Sequence, residues 1–275
     1  MLQDIAPHIY DNTFAPYAVE EGDYTVTIEK RRIYLYEEEG RALFPVYREG
    51  DKEDYLYLFS VDEKRFFLDL KRRIPEGTKA CTFHELQHLS PRYLVYGACV
   101  AIQLGSWYSD NVYCGRCGKK NVFDTKERML TCPDCHTAIY PRINPCVITG
   151  VIHDDEIIMT QSLGWEKKHF GLVAGFAEIG ESIEDCVRRE VFEEVGLHVR
   201  DLTFYKSQPW PQSDSLLFGF FCRLDGDPSI HRQESELAQA LWVDRKEIPE
   251  GRDQNSLTGE MIEYFRTHEN KEIFG

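Results

Sequence analysis

Basic residues are scarce in this 275-residue chain: Lys and Arg number 32 against 47 Asp and Glu, a formal net charge of −15. A field of that sign repels polyanions and anionic membrane, which argues against nonspecific nucleic-acid binding. Low-complexity sequence is absent, so composition forces no segment into disorder. No positively charged stretch followed by an apolar one opens the chain, which begins Met1-Leu2-Gln3-Asp4-Ile5, and the nine cysteines are an odd number. The setting expected from this is reduced and cytoplasmic, with no membrane partner. What is present, 42% apolar and 13% aromatic residues, is the make-up of a globular protein with a substantial core, and the length suits two or three domains.

Residues 24–36, 55–61 and 65–70 are short runs rich in β-branched and aromatic side chains, expected as strands of one small sheet. The nearly uncharged segment from Pro91 to Trp107 has the length of a buried helix, with Pro91 suited to its first turn. Strands are expected over Cys146–Ile152, Glu156–Thr160, 198–206 and 216–224, and helices from about Ser182 and over Ser256–His268. Sheets mixed with few helices indicate an α/β (α+β) protein.

Cys114-x2-Cys117 and Cys132-x2-Cys135 are two knuckles separated by fourteen residues, each with Gly, Pro or Asp at the turn. Such a spacing aims four thiolates at one ion, and zinc takes four in a tetrahedron when its role is structural. A redox dithiol or two unrelated pairs is the alternative. Residues 114–135 carry five basic and three acidic side chains, and a zinc bound by four thiolates would cancel that excess, leaving no basic patch for nucleic acid. Cys81, Cys99, Cys146, Cys186 and Cys222 lie in apolar surroundings and are expected in the core.

From Ser182, followed three residues later by Asp185, to a stop at Gly196, a helix of about thirteen residues is well bounded. Between Glu178 and Glu194 seven acids face two bases. Acids near a helix C-terminus oppose its dipole, so something else must stabilise them. At about 100° per residue, Ile183, Cys186, Val187, Val191, Phe192 and Val195 form an apolar stripe, and Glu190, Glu193 and Glu194 centre roughly 85° from it. These three flank the buried side, with Cβ atoms about 5–6 Å apart. Like charges that close call for a cation, and carboxylate oxygens suit Mg²⁺ or Mn²⁺. An acidic, merely solvated helix is the plainer reading.

Gly175, Glu181, Arg189-Glu190-Val191, Glu193-Glu194 and Gly196-Leu197 match every fixed position of the Nudix box, GX5EX7REUXEEXGU, where U is a bulky aliphatic residue. The chain thus resembles a Nudix hydrolase. That resemblance implies an α/β/α sandwich presenting this loop and helix to two or more divalent ions, with Glu190, Glu193 and Glu194 as metal ligands and Glu181 paired to Arg189 to brace the loop. Glu178, outside the fixed positions, would face solvent or support the site from behind.

Ser207-Gln208-Pro209-Trp210-Pro211, read from its residues, is a rigid turn that presents an aromatic surface or simply buries a Trp. It resembles the SQPWPFPxS signature of the NADH pyrophosphatase subfamily, with Gln212 and Ser213 standing where that subfamily has Phe-Pro. The resemblance covers the last two-thirds of the chain and implies an N-terminal α/β domain over 1–109, a zinc ribbon over 110–141 with one structural zinc, and the Nudix domain over 142–275. It further implies that Phe176 and Tyr140, the latter in the Tyr140-Pro141-Arg142 link before Pro145, sandwich a base. Glu127 would hydrogen-bond that base, Gln208, Trp210 and Ser215 would line the substrate site, and Glu236 would supply a further ligand or base. Thr258 replaces the usual Ala of the pocket-lining segment.

The reaction so implied is metal-dependent hydrolysis of the pyrophosphate of NADH or NAD⁺ to nicotinamide mononucleotide and AMP, with Glu193 or Glu236 taking a proton from water. Removal of NAD caps from RNA 5′ ends by the same chemistry, hydrolysis of another nucleoside diphosphate derivative such as ADP-ribose, and a non-enzymatic zinc-ribbon sensor are the other readings. The subfamily also implies a homodimer.

Overall fold

The computed structural model describes residues 1–164, 170–251 and 255–275. The chain divides into two compact units, one of residues 2–142 and one of residues 143–275 together with Met1.

In the first unit the aromatic-rich runs build two sheets rather than one. Tyr24–Val26 pairs in parallel with Lys64–Asp69, which pairs antiparallel with Tyr55–Val61. Ile28–Glu29 and Arg32–Glu38 belong instead to a second sheet with Arg41–Leu43 and Lys79–Cys81. The run 24–36 changes sheet at Thr27, and within the second sheet Lys30 and Arg31, with φ of 50° and 58°, make a two-residue hairpin of the kind whose twist matches its strands. A helix over Arg92–Asp110, begun at Pro91, packs on these sheets. Its close approach depends on Gly105, where a β-carbon would stand 2.5 Å from Ile28 Cγ1. Residues 114–139 follow with three two-residue strands, Val122–Phe123, Leu130–Thr131 and Ala138–Ile139, paired antiparallel.

The second unit holds strands β1 (Asn144–His153), β2 (Glu156–Ser162) and β3 (Val173–Phe176), helix α1 (Ile183–Val195), strands β4 (Val199–Trp210), β5 (Ser215–Leu224) and β6 (Leu237–Asp244), and helix α2 (Leu257–Thr267). The sheet order is β4-β5-β1-β2-β6, with β3 against β1. β1 runs parallel to β5, from Asn144 opposite Ser215 to Ile152 opposite Arg223. Because side chains alternate along β1, Cys146, Ile148 and Ile152 join Met261, Ile262 and Phe265 of α2 in one core, whereas Val147 and Val151 join Cys186, Val187, Val191 and Val195 of α1 in another. A sheet covered by a helix on each face is the expected α/β/α sandwich.

Two local expectations are corrected. Ser207 to Trp210 is strand, not turn: Gln208 pairs with Leu217, Pro209 with Leu216 and Trp210 with Ser215, and the hairpin turns at residues 211–214. Pro209 is tolerated because β4 is an edge strand, where a missing N–H breaks no inner ladder. Phe192 is not part of the buried stripe; it is 52% exposed and stacks on His198 with ring centroids 5.0 Å apart. Among the described residues no helix is long and apolar enough to cross a membrane.

Candidate active site

Helix α1 starts where Ser182 accepts the Asp185 N–H, and Ser182 Oγ donates to the Asp185 carboxylate at 2.7 Å. It ends at Gly196 with φ 71°, a left-handed position that also lacks room for a side chain, since a β-carbon would come within 2.6 Å of His231 Cβ.

The partner that the crowded acids require is Arg189. Its Nε and Nη2 grip both oxygens of Glu181 at 3.0 and 2.6 Å, and Nη2 also donates to the Phe176 carbonyl at 2.9 Å. Its Nη1 donates to Glu190 Oε1 at 2.7 Å and to Glu193 Oε2 at 2.9 Å. Glu181 also accepts the Glu178 N–H at 2.6 Å, so the loop before α1 is tied to the helix by one planar fork. Arg189 and that N–H hold the Glu181 carboxyl down to about 2.

Glu190 and Glu194 sit differently. Burial raises both, and Glu194, only 6% exposed, is pushed up to about 8 by desolvation, helped by the charges of Glu190 and Glu236 and opposed by the Ala174 N–H at 3.4 Å. Glu190 lies directly over β3: a β-carbon on Gly175 would fall 1.9 Å from its Cδ. Glu193 is exposed and, among the described residues, ion-paired with Arg189.

Glu236 reaches this cluster by a route that sequence periodicity does not show. After β5 the chain returns over the end of α1, where His231 N–H donates to Val195 O at 2.8 Å and Gln233 N–H to Glu194 O at 2.9 Å. These bonds satisfy carbonyls that a helix end leaves open. Gln233 Nε2 then donates to Glu236 Oε1 at 3.3 Å, and Leu163 N–H to Glu236 O at 2.8 Å. The resemblance reaches Glu236 itself, but no motif singles out Gln233, which braces it.

The remaining predicted residues divide. Tyr140 donates to Glu127 Oε2 at 2.8 Å, so these two stand together, with Tyr140 exposed. Phe176 is half exposed at the end of β3. Trp210 packs against the α2-side core, and Ser215 is buried against the Ser213 hydroxyl at 2.8 Å. Gln208 is fully buried, and both ends of its amide are engaged by backbone: Nε2 donates to Asn255 O at 2.8 Å and Oε1 accepts from Leu257 N–H at 2.6 Å. It holds the start of α2, and with it Thr258, half-buried in the helix's first turn.

Cys114, Cys117, Cys132 and Cys135 place their sulfurs within 4.8 Å of one another, with Cys114 to Cys135 at 3.6 Å and Cys117 to Cys132 at 3.4 Å. A tetrahedron of roughly 2.3 Å metal–sulfur bonds has edges of about 3.8 Å, so the cluster fits zinc. The Thr137 hydroxyl and N–H lower the Cys135 thiol, whereas Cys117, despite the Lys119 N–H, is raised by the Cys132 sulfur beside it, so the sulfur geometry carries the assignment. Among the described residues no three carboxylates gather that tightly. The hard oxygens of Glu190 and Glu194, desolvated beside one another, nonetheless suit a divalent cation.

Residues 145–265 match the NUDIX domain. The chain is 35% identical over 226 residues to the NAD-capped RNA hydrolase NudC of Pseudomonas fluorescens, covering 78% of this chain and 80% of that one. It is 36% identical over 149 residues to the protein of that name from Vibrio parahaemolyticus, covering 54% and 57%, and 37% identical over 166 residues to that of Pseudomonas aeruginosa, covering 60% and 59%. It thus spans less than two thirds of the length of these last two relatives. A crystal structure of a NUDIX hydrolase from Nitrosomonas europaea aligns with a TM-score of 0.44 at 21% identity, covering 50% of this chain and 80% of that one. With the NUDIX match seated on the carboxylate helix, and a relative matched over four-fifths of its length, the chain belongs to the NUDIX family.

Proposed function

We propose that the protein hydrolyses the pyrophosphate bond of NADH or NAD⁺, giving nicotinamide mononucleotide and AMP, with Mg²⁺ or Mn²⁺ held by Glu190, Glu193, Glu194 and Glu236. The observation that carries this is the pair of desolvated carboxylates, Glu190 over Gly175 and Glu194 at the Ala174 N–H, with the charge of Glu236 near enough to act on both. When bound, such ions neutralise the bridging phosphates and make water acidic enough to attack. Arg189 fixes Glu190 and Glu193 by Nη1 while anchoring itself on Glu181 and the Phe176 carbonyl. Glu193 or Glu236, the two exposed carboxylates, takes the proton from water. Phe176 offers an exposed ring on which a base can stack, and Tyr140, steadied by Glu127, offers another.

The same chemistry serves an NAD cap on an RNA 5′ end, a reading supported by the name shared by the three relatives. A net charge of −15 disfavours a long RNA lying on the surface but not a 5′ end that brings its phosphates to metal. A structural zinc in the ribbon, the three-part division at 109 and 141, a cytoplasmic setting and a homodimer complete the proposal.

Pure protein incubated with NADH and Mg²⁺ or Mn²⁺ is expected to release AMP. Absence of AMP together with good cleavage of ADP-ribose would move it to another class within the family, and competition between NADH and NAD-capped RNA ranks the two substrates.

A further inference from the structure

The residue just after Glu236 is placed by an irregularity in the sheet. Strand β6 meets β2 with Gln161 opposite Gln239 but Ser162 opposite Leu237, so Ala238 is an extra residue on β6, a bulge. Side chains alternate along a strand, and an unbulged β6 would send Leu237 to the face opposite Ala240 and Trp242. With the bulge, all three join Val187, Val191 and Val195 of α1 in one core, and Leu237 anchors the chain beside Glu236. The carbonyl of the bulged Ala238 accepts from Arg232 Nη1, so the bulge is braced by the segment that returns from β5.

Gln233 makes the remaining connections. Its N–H donates to Glu194 O at 2.9 Å, its carbonyl accepts from the Glu236 and Leu237 N–H groups at 3.2 and 3.0 Å, and its Nε2 donates to Glu236 Oε1 at 3.3 Å. One half-buried residue therefore ties the backbone of one proposed metal ligand to the carboxylate of another. The charge of Glu236 in turn acts on both Glu190 and Glu194. Because the Gln233 donor is a neutral amide, it orients one oxygen of Glu236 without supplying the cation that the carboxylate can still take. Among the described residues Glu236 Oε2 has no hydrogen-bond or ion-pair partner.

We infer that Gln233 is a positioning residue: its amide fixes the rotamer in which Glu236 serves the divalent ion held by Glu190 and Glu194, over a backbone set by the Ala238 bulge. This rests on the reading of Glu236 as a metal ligand of the proposed hydrolysis.

Gln233→Leu keeps the side-chain bulk and the N–H on Glu194 O and removes the amide. It is compared, in the full chain, with Glu236→Gln and with the double variant. Mn²⁺ affinity is read without substrate from the electron paramagnetic resonance of the free ion, and kcat and KM are read on NADH with Mg²⁺. Gln233→Leu is expected to weaken Mn²⁺ binding and to lower kcat by about tenfold each, the scale of lost support behind a metal ligand, with KM and melting temperature unchanged. In the Glu236→Gln background the same substitution should change neither by more than about twofold, because residues that act through one another are not additive. An equal fall in both backgrounds gives Gln233 a role that does not run through Glu236 and overturns the inference. Wild-type affinity in Gln233→Leu beside weakened affinity in Glu236→Gln overturns it as well, since Glu236 then needs no brace. Wild-type affinity in Glu236→Gln removes Glu236 from the ligand set and the inference with it, a result distinct from failure of the brace alone. If the wild type releases no AMP from NADH, the substrate reading fails and the Mn²⁺ comparison alone decides.

Discussion

The Glu190 carboxylate occupies the space that a β-carbon on Gly175 would need, 1.9 Å from its Cδ. Glycine at 175 is therefore a condition for the carboxylate's position and not a matter of backbone freedom. Substituting Gly175→Ala should displace Glu190 and lower kcat for NADH by about 10²-fold, the scale of a misplaced active-site group. The melting temperature should move by only a few degrees, because the displaced group lies at the edge of the core. Wild-type kcat in that variant would mean that Glu190 does not act where it is placed.

The position of Glu194 predicts a pH dependence with a definite sign. Its carboxyl is raised from about 4.5 to about 8 by burial, so the folded protein binds this proton more tightly than the unfolded chain does. The stability it contributes is complete below about 4.5 and is lost as pH rises through about 8, a swing of a few kcal/mol. Melting without divalent ions should therefore show a decline between pH 5 and pH 9 that Glu194→Gln flattens. Metal binding needs the carboxylate, so at pH 7 it should release close to one proton, seen as a dependence of calorimetric heat on buffer ionisation enthalpy. A heat independent of buffer would remove Glu194 from the ligand set.

The ribbon's sulfur geometry predicts one zinc per chain by elemental analysis. Cys135→Ser should abolish zinc retention and expose residues 114–139 to protease, since three two-residue strands have little core of their own. NADH hydrolysis per folded molecule should fall far less than it does for Glu194→Gln. Full zinc content in the Cys135→Ser protein would disqualify that sulfur as a ligand.

What could be read from sequence was what local chemistry decides. The bounds of α1 followed from Ser182 and Gly196 because a cap is set by the residues that form it. The cysteine quartet was legible for the same reason: each knuckle closes within four residues, so spacing alone forecasts the ligand set. Position along a helix did not decide exposure for Phe192, because the presence of His198 across the turn gave its ring another surface to cover. The strand character of Ser207 to Trp210 was hidden because prolines signal turns unless the strand lies at an edge, and sheet order is a property of the whole unit. The approach of Glu236 depends on backbone bonds from His231 and Gln233 to the end of α1, which leave no mark in side-chain type.

Gln208 tests whether a signature residue acts on the ligand or through the fold. Its amide donates to Asn255 O and accepts from Leu257 N–H, and Tyr205 and Lys206 of the same strand both reach Glu260 of α2. The strand thus fastens the start of the helix that carries Thr258. Gln208→Ala removes one hydrogen bond from Asn255 O and one from the buried Leu257 N–H and should lower stability by about 1–3 kcal/mol. Gln208→Glu keeps the acceptor for Leu257 but sets a carboxylate against Asn255 O. It should melt lower than Gln208→Ala at pH 8 and recover toward pH 5, where a protonated acid can again donate. KM for NADH should rise in both variants in step with the loss of melting temperature. If KM rises while melting at every pH matches wild type, Gln208 is a direct ligand contact and its bonds to α2 contribute nothing measurable.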